Sequence, residues 1–224
     1  MAKVVIFGAG QTAHVAYQYF TRDSEHEITA FAVNSDMRQF DELFGLPVVD
    51  VEDCPKLYPP DDYRMFVSMN YANLNRLRGE KFAEAKALGY SCVSYVSPRA
   101  VVHDNVEIGE NCFILENQVI QPFVVIGNNV TIWASNMIGH HCVVEDHCWI
   151  TSGVVLSGNV SIGSESFLGV NTSIGQNVRV GLRNFVGASS LITKDTKDGT
   201  VYVNQDTAPF ALDVERFLRI TKFC

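Results

Sequence analysis

The stretch MIGHHCVVEDHC, residues 137–148, holds three of the chain's six histidines. His140 and His141 are adjacent, His147 lies six residues beyond His141, and Glu145 and Asp146 stand between them. Neutral imidazole is suited to accept a proton near pH 7, as attack by an amine or hydroxyl on an acyl group requires. A second constellation is FGAGQTA, residues 7–13, which matches G-x-G-x-x-A through Gly8, Gly10 and Ala13. Glycines at such a strand-to-helix turn let a phosphate approach the backbone N–H groups of the helix N-terminus, with Gln11 and Thr12 next in line.

The elements that position these residues follow two different grammars. Residues 1–96 alternate strand and helix. KVVIFGAG reads as a buried strand, QTAHVAYQYFTRD as a helix, HEITAFAV as a second strand ending at VNSDM, and YRMFVSMN as a third. NLNRLRGEKFAEAKALG reads as an amphipathic helix closed by Gly89, and YSCVSYVSP as a fourth strand. This order predicts a small parallel α/β sheet, a Rossmann-like domain.

From Val101 to Thr196 the chain divides into sixteen hexads without an insertion. The second place is always Ile, Val or Leu, and the third is often Gly. The fifth place is Asn at 105, 111, 117, 129, 159, 171 and 177. Asn tolerates positive φ at a corner. A period of six with one inward aliphatic residue per unit fits neither a helix nor a lone strand. It predicts a parallel β-helix of hexapeptide repeats over 97–196, eighteen residues per coil and roughly 25 Å tall at about 4.8 Å per rung. His140 and His141 take the fourth and fifth places of their hexad, at a corner and outside the core. Residues 197–224 form a tail whose Phe210, Val214, Phe217 and Leu218 have helical spacing, predicting a helix that caps the open end or, as the alternative, packs on a neighbour.

Net charge is −8, with no basic patch, which argues against a nucleic-acid partner. The N-terminal apolar run is too short for a signal segment, and no stretch of about 18 apolar residues would span a membrane. The cysteines Cys54, Cys92, Cys112, Cys142, Cys148 and Cys224 form no C-x-x-C pair and read as buried free thiols of a reducing, cytoplasmic compartment.

The hexad run led by the FGAG unit resembles the left-handed β-helix acyltransferases of nucleotide-sugar pathways. That group includes UDP-bacillosamine and perosamine N-acetyltransferases and sialic-acid O-acetyltransferase-like proteins. The resemblance runs from VVIFGAG to LITKD and is most specific over IGHHCVVEDHCWITSGVVLSGNVSIGSESFLGVN. It implies the left-handed coil, where the usual crossover rule predicts the opposite hand. It also implies a homotrimer, with acyl-CoA, most simply acetyl-CoA, held between two prisms as co-substrate and no metal. A nucleoside-diphosphate amino sugar would sit in the N-terminal domain. His140 falls where the family has its general base. The family places a carboxylate next, but His141 stands there, leaving Glu145, Asp146 or a backbone carbonyl to orient the imidazole, with His141 assisting or holding the sugar.

Stacking by eighteen places Gly158 one coil beyond His140 and Pro122 one coil before it. Gly158 leaves room for a thioester, and Gly153 does the same on an adjacent face. Trp133 and Asn136 precede the histidines by a hexad and would shape the acyl-CoA and acceptor pocket. Lys194 and Arg183 would meet the phosphates of CoA. Expected base or ribose contacts are Asn34, Ser35 and Asp36 after the second strand and Asn70 after the third. An NAD site is disfavoured, because the N-terminal half is short for a dinucleotide fold and no acid ends the second strand.

The resemblance thus implies an acyl-CoA-dependent N-acyltransferase acting on a nucleotide-linked amino deoxysugar, as in O-antigen or other surface-glycan biosynthesis. O-acetylation of a sugar hydroxyl is the alternative within the class. A metal enzyme like the γ-type carbonic anhydrases, with His103, His141 and His147 as ligands, and a catalytically silent sugar-nucleotide binding protein are the readings from other classes.

Overall fold

A computed structural model describes residues 1–221. The chain opens with β1 (Lys3–Phe7), whose Val4 to Phe7 are fully buried because both faces of the strand are covered. Helix α1 (Gln11–Asp23) buries Ala13, Ala16 and Phe20, one stripe at helical spacing. Then come β2 (Glu27–Val33), β3 (Glu42–Leu43), β4 (Leu46–Asp50), the short α2 (Cys54–Leu57), β5 (Tyr63–Val67) and α3 (Arg76–Ala87). The sheet order is β3-β4-β2-β1-β5, parallel except for the β3–β4 hairpin.

That hairpin was not foreseen. Its turn residues Phe44 and Gly45 have φ of 52° and 77°, the left-handed pair that a two-residue hairpin needs. The expected fourth strand is corrected. Cys92 makes one isolated bridge to Met65, while β6 (Tyr95–Val96) pairs with the β-helix instead. α3 does end before Gly89, at φ 92°, but its inward residues are Arg78 and Ala85 rather than an apolar stripe.

From β7 (Val101–Val102) to β22 (Leu191–Ile192), two-residue strands recur every six residues. From β7 to β19 each pairs in parallel with the strand eighteen residues on, as Met137 with Val155, and β21 pairs sixteen residues on with the final strand, Phe185 with Val201. They stack into three faces. Strands β7, β10, β13, β16, β19 and β22 make the first face, and β8, β11, β14, β17 and β20 the second. The third runs from β6 through β9, β12, β15, β18 and β21 to β23 (Val201–Tyr202). The prism therefore extends slightly past the expected bounds of 97 and 196. Second-place residues such as Ile120, Ile138, Val144, Ile150 and Leu156 fill its core. The architecture is the expected left-handed β-helix behind a small α/β domain, followed by a short C-terminal helix.

Six of the seven fifth-place asparagines have positive φ, Asn105 being the exception. His141 and His147 adopt the same conformation, at 59° and 62°. Cys112, Cys142 and Cys148 are free and buried, each thiol donating to a carbonyl of the following coil. Burial pushes the Cys148 thiol up to about 12. Cys54 and Cys92 are likewise buried and free, and Cys224 lies outside the described residues.

The outward residues of the third face are large. Phe113, Thr131, Trp149 and Phe167 are buried. Phe113 packs on Tyr19, Phe66 and Tyr95, and Tyr71 lies against Trp149 and Phe167. The first face presents Val119, Met137 and Val155 and the second Val125 and Val143, all exposed. The tail forms α4 (Val214–Thr221), but the expected cap is corrected. None of its residues is buried, and the final rung is β23 paired with β21.

Candidate functional site

Between β13 (Met137–Ile138) and β14 (Val143–Val144) the chain turns the corner from the first face to the second. The backbone there is pinned to the preceding coil. The His140 N–H donates to Gln121 Oε1 at 2.9 Å and the His141 N–H to the Pro122 carbonyl at 3.1 Å. The two imidazoles stand edge to face at 85°, with their Nδ1 atoms 3.1 Å apart. Phe123 lies against His141, ring centroids 4.7 Å apart. Both histidines are exposed in the protomer. A Cβ on Gly158 would sit 2.6 Å from His140 Cε1 and 2.7 Å from Nε2, so the glycine makes the space this ring fills.

Glu145 and Asp146 do not orient His140. They occupy the next corner, between β14 and β15 (Trp149–Ile150), where Glu145 accepts from the Ser164 N–H and hydroxyl and Asp146 from the Asn128 N–H. Six residues in sequence is a third of a coil in space. His147 shares that second corner. Its Nδ1 is 2.9 Å from Asn129 Nδ2 and its ring packs against Gly79 and Phe82. Burial, followed by the charge of Arg78, lowers its pKa. His147 is thus a corner residue seated on α3. It cannot share a metal with His141 of the same protomer, and His103 lies two coils before Gly139. Among the described residues no group of three or more His, Cys, Asp or Glu is placed to hold a metal.

Of the residues expected to meet acyl-CoA, only some share the histidine corner. Lys194 is exposed and lies 54 residues after His140, three whole coils along the same corner. Arg183 stands elsewhere and is paired with Glu165. Gly153, at φ 72°, is on the corner between the third face and the first, where a Cβ would strike Asn171. Asn136 is buried and structural. Its Oδ1 accepts the Val154 N–H at 2.6 Å and its amide donates to the Trp133 carbonyl. The side of Trp133 faces a different cavity.

That cavity, of about 1020 Å³, opens between the α/β domain and the third face. Gly8, Gly10, Gln11 and Thr12 line it at the start of α1. Gly8 has φ 134°, and a Cβ there would lie 2.5 Å from the Ser68 carbonyl oxygen. Gly10 caps α1 with no side-chain bond, leaving the first-turn N–H groups unsatisfied within the helix, the arrangement that binds anions. Ser68 Oγ is buried in this wall without a hydrogen-bond partner.

Asn34 and Asp36 also line the cavity, as does Asn70, whose Oδ1 holds the Ala72 N–H. Ser35, between Asn34 and Asp36, is not among the lining residues, and its carbonyl accepts the Arg38 N–H. The Asn34 amide is already engaged, accepting from Lys81 Nζ at 2.7 Å and donating to Glu84 at 2.8 Å. Lys81, Ser68, Tyr71 and Trp149 are lining residues that the sequence reading missed. Lys81 reaches the cavity from a helix whose charges look like a solvated face. Trp149, an outward first-place residue, was the one visible signal. His140 and His141 do not line this cavity, since their corner joins the other two faces.

Residues 108–140, within the prism, match the family model described as bacterial transferase hexapeptide (six repeats). Among solved structures the chain is similar to PerB from Caulobacter crescentus in complex with CoA and GDP-perosamine. The two are 28% identical, with 90% of this chain and 93% of that one covered and a TM-score of 0.78. A histidine-to-asparagine mutant of perosamine N-acetyltransferase from the same organism, in complex with CoA and GDP-perosamine, is 27% identical over 90% of this chain and 93% of that one, with a TM-score of 0.80. The acetyltransferase domain of PglB from Neisseria gonorrhoeae FA1090, in complex with acetyl coenzyme A, is 25% identical over 89% of this chain and 94% of that one, with a TM-score of 0.78. No curated protein sequence matches the chain.

Proposed function

We propose that the chain is an acyl-CoA-dependent N-acyltransferase, most simply an N-acetyltransferase, acting on a nucleotide-linked amino deoxysugar for surface-glycan synthesis. The observation that carries this is the His140 ring standing in the gap left by Gly158, a proton acceptor on an open corner. Similarity to structures holding CoA and GDP-perosamine, or acetyl coenzyme A, over nine-tenths of the chain supports both substrate classes. The nucleoside diphosphate would lie on Gly8, Gly10 and the start of α1, with the Ser68 hydroxyl free to donate to it.

His140 would take a proton from the sugar amine as nitrogen attacks the thioester carbonyl. The amine is a competent nucleophile once deprotonated, so no acyl-enzyme is required. The histidine corner and the sugar-nucleotide cavity lie on different sides of one protomer. Exposed Val119, Met137 and Val155 beside the corner, with Val125 and Val143 on its other flank, offer a face for a second copy. This supports a homotrimer in which one protomer's cavity meets its partner's corner. Acyl-CoA and sugar nucleotides are cytoplasmic metabolites, which supports a cytoplasmic location. Among the described residues no helix is long and apolar enough to cross a membrane.

The test is release of CoA thiol with UDP-, dTDP- and GDP-linked 3-amino and 4-amino deoxysugars offered against several acyl-CoAs. Turnover with one amino sugar is expected. No thiol release with any pair overturns the proposal, and turnover confined to hydroxyl acceptors converts it to O-acylation.

A further inference from the structure

We propose that His141 is the positioning residue of the corner: it accepts the Nδ1 proton of His140 and so leaves the Nε2 lone pair of His140 outward as the base. The inference deepens the acyltransferase reading and rests on it. Its ground is the 3.1 Å approach of the two Nδ1 atoms. At that distance one nitrogen carries the hydrogen and the other supplies the lone pair. If His141 donates, the lone pair of His140 is spent inward and its Nε2 bears a proton, leaving no outward acceptor. If His140 donates, its Nε2 is free. Only the second arrangement can receive a proton from a substrate amine.

The surroundings leave this task to His141. The acids nearest in sequence are committed to Ser164 and Asn128 on another corner. The amide oxygen of Gln121 is occupied by the His140 N–H. His141 itself is held on two sides, by its N–H bond to the Pro122 carbonyl and by the face of Phe123. Which ring nitrogen of a histidine is protonated is set by the bond its other nitrogen makes.

The step balances without a carboxylate. The amine nitrogen bonds to the thioester carbon while its proton passes to His140 Nε2. The C–S bond then breaks, and the departing CoA sulfur takes that proton back. In between, the positive charge is shared along the Nδ1–H···Nδ1 bond, with His141 as the second holder. The neighbour therefore does more than fill a left-handed corner place that Asn occupies elsewhere.

The experiment uses the full chain labelled with ¹⁵N-histidine, with ring nitrogens read by NMR at neutral pH alongside steady-state kinetics. His140 is assigned by its loss in His140→Asn. In the wild type His140 is expected as the Nδ1–H form. His141→Asn, which suits the backbone, should shift His140 toward Nε2–H and lower kcat about 10- to 100-fold. KM for acyl-CoA should stay within about twofold, since the base and not the cleft is affected. His141→Glu should restore the Nδ1–H form and most of kcat. An unchanged His140 tautomer in His141→Asn, or a kcat there near wild type, overturns the assignment. The tautomer is readable with no substrate at all, so failure of the acyltransferase reading would appear separately, as absence of turnover in the wild type.

Discussion

The ring of His140 occupies the volume that any side chain at position 158, one coil further on, would claim. The clash would be with the far edge of the imidazole, at Cε1 and Nε2. Gly158 lacks the left-handed φ that would itself demand glycine, so alanine there strains the ring and not the backbone. Gly158→Ala should therefore leave the melting temperature within a few degrees of wild type while kcat falls about 10- to 100-fold, because displacement by about an ångström is enough to spoil a reacting geometry. Calorimetry and steady-state kinetics on one preparation separate the two effects, and a stable variant of unaltered kcat would remove His140 from the reaction.

His140→Ala removes the outward nitrogen altogether. Its side chain is exposed and its backbone bond to Gln121 survives. A loss of about 10²- to 10⁴-fold in kcat is expected, the usual range for a general base, with an unchanged circular dichroism spectrum and sedimentation coefficient.

His147 gives a pH dependence whose sign follows from burial. Its folded pKa is depressed below the ordinary 6.5, so the folded state prefers the neutral ring. Stability from this preference is present above the unfolded pKa and is lost as pH falls from 6.5 toward the folded value. His147→Asn fits the left-handed corner, as the neighbouring asparagines show. Thermal unfolding between pH 7.5 and 5 should then fall less steeply than in wild type. Some slope should persist, because burial depresses His26 as well.

Arg78, only 1% exposed, joins the α/β domain to the prism. Its guanidinium donates to Asn129 and to the carbonyls of His147 and Cys148 at 2.8 and 3.0 Å, and lies 5.5 Å from the Trp149 ring. Burial brings its pKa down to about 10, which leaves it charged at neutral pH. Arg78→Ala strands these acceptors and should cost about 3–5 kcal/mol in urea unfolding. Arg78→Lys should recover little of that, since an ammonium cannot reproduce the planar fork.

Lys194 is exposed on the corner line of His140, and its expected partner is a phosphate of CoA. Lys194→Glu should raise KM for acyl-CoA about fivefold or more with kcat nearly unchanged, and the difference should shrink as salt is added.

The prism was legible because its rule is local. Each hexad puts one aliphatic residue inside and one tolerant residue on the bend, and Ile138, His141 and Asn159 obey it in the structure. Proximity across corners was not legible in the same way. Asp146 looks adjacent to His140 on paper, yet it turns toward Asn128 around the next edge. The N-terminal sheet was read correctly at β1, α1 and β2, where apolar runs and helical spacing are strong. YSCVSYVSP has the composition of a strand, but its end is drawn onto the larger sheet, where Tyr95 pairs with Phe113. Arg78 escaped notice because an arginine on a helix reads as solvated, and only the carbonyls waiting on the prism make its burial tolerable. The cavity residues Ser68 and Lys81 are brought together by tertiary packing, which no spacing encodes.

The uninterrupted register also acts as a ruler. His140 and Lys194 are separated by three whole coils, roughly 14 Å at about 4.8 Å per rung, with Gly158 and Gln176 as the graduations between. Excising or duplicating an eighteen-residue unit between Gly158 and Lys194 would shorten or lengthen that span by one graduation without turning either residue off its edge. The chain thereby offers a scaffold on which the reach of the acyl carrier can be recalibrated in fixed steps.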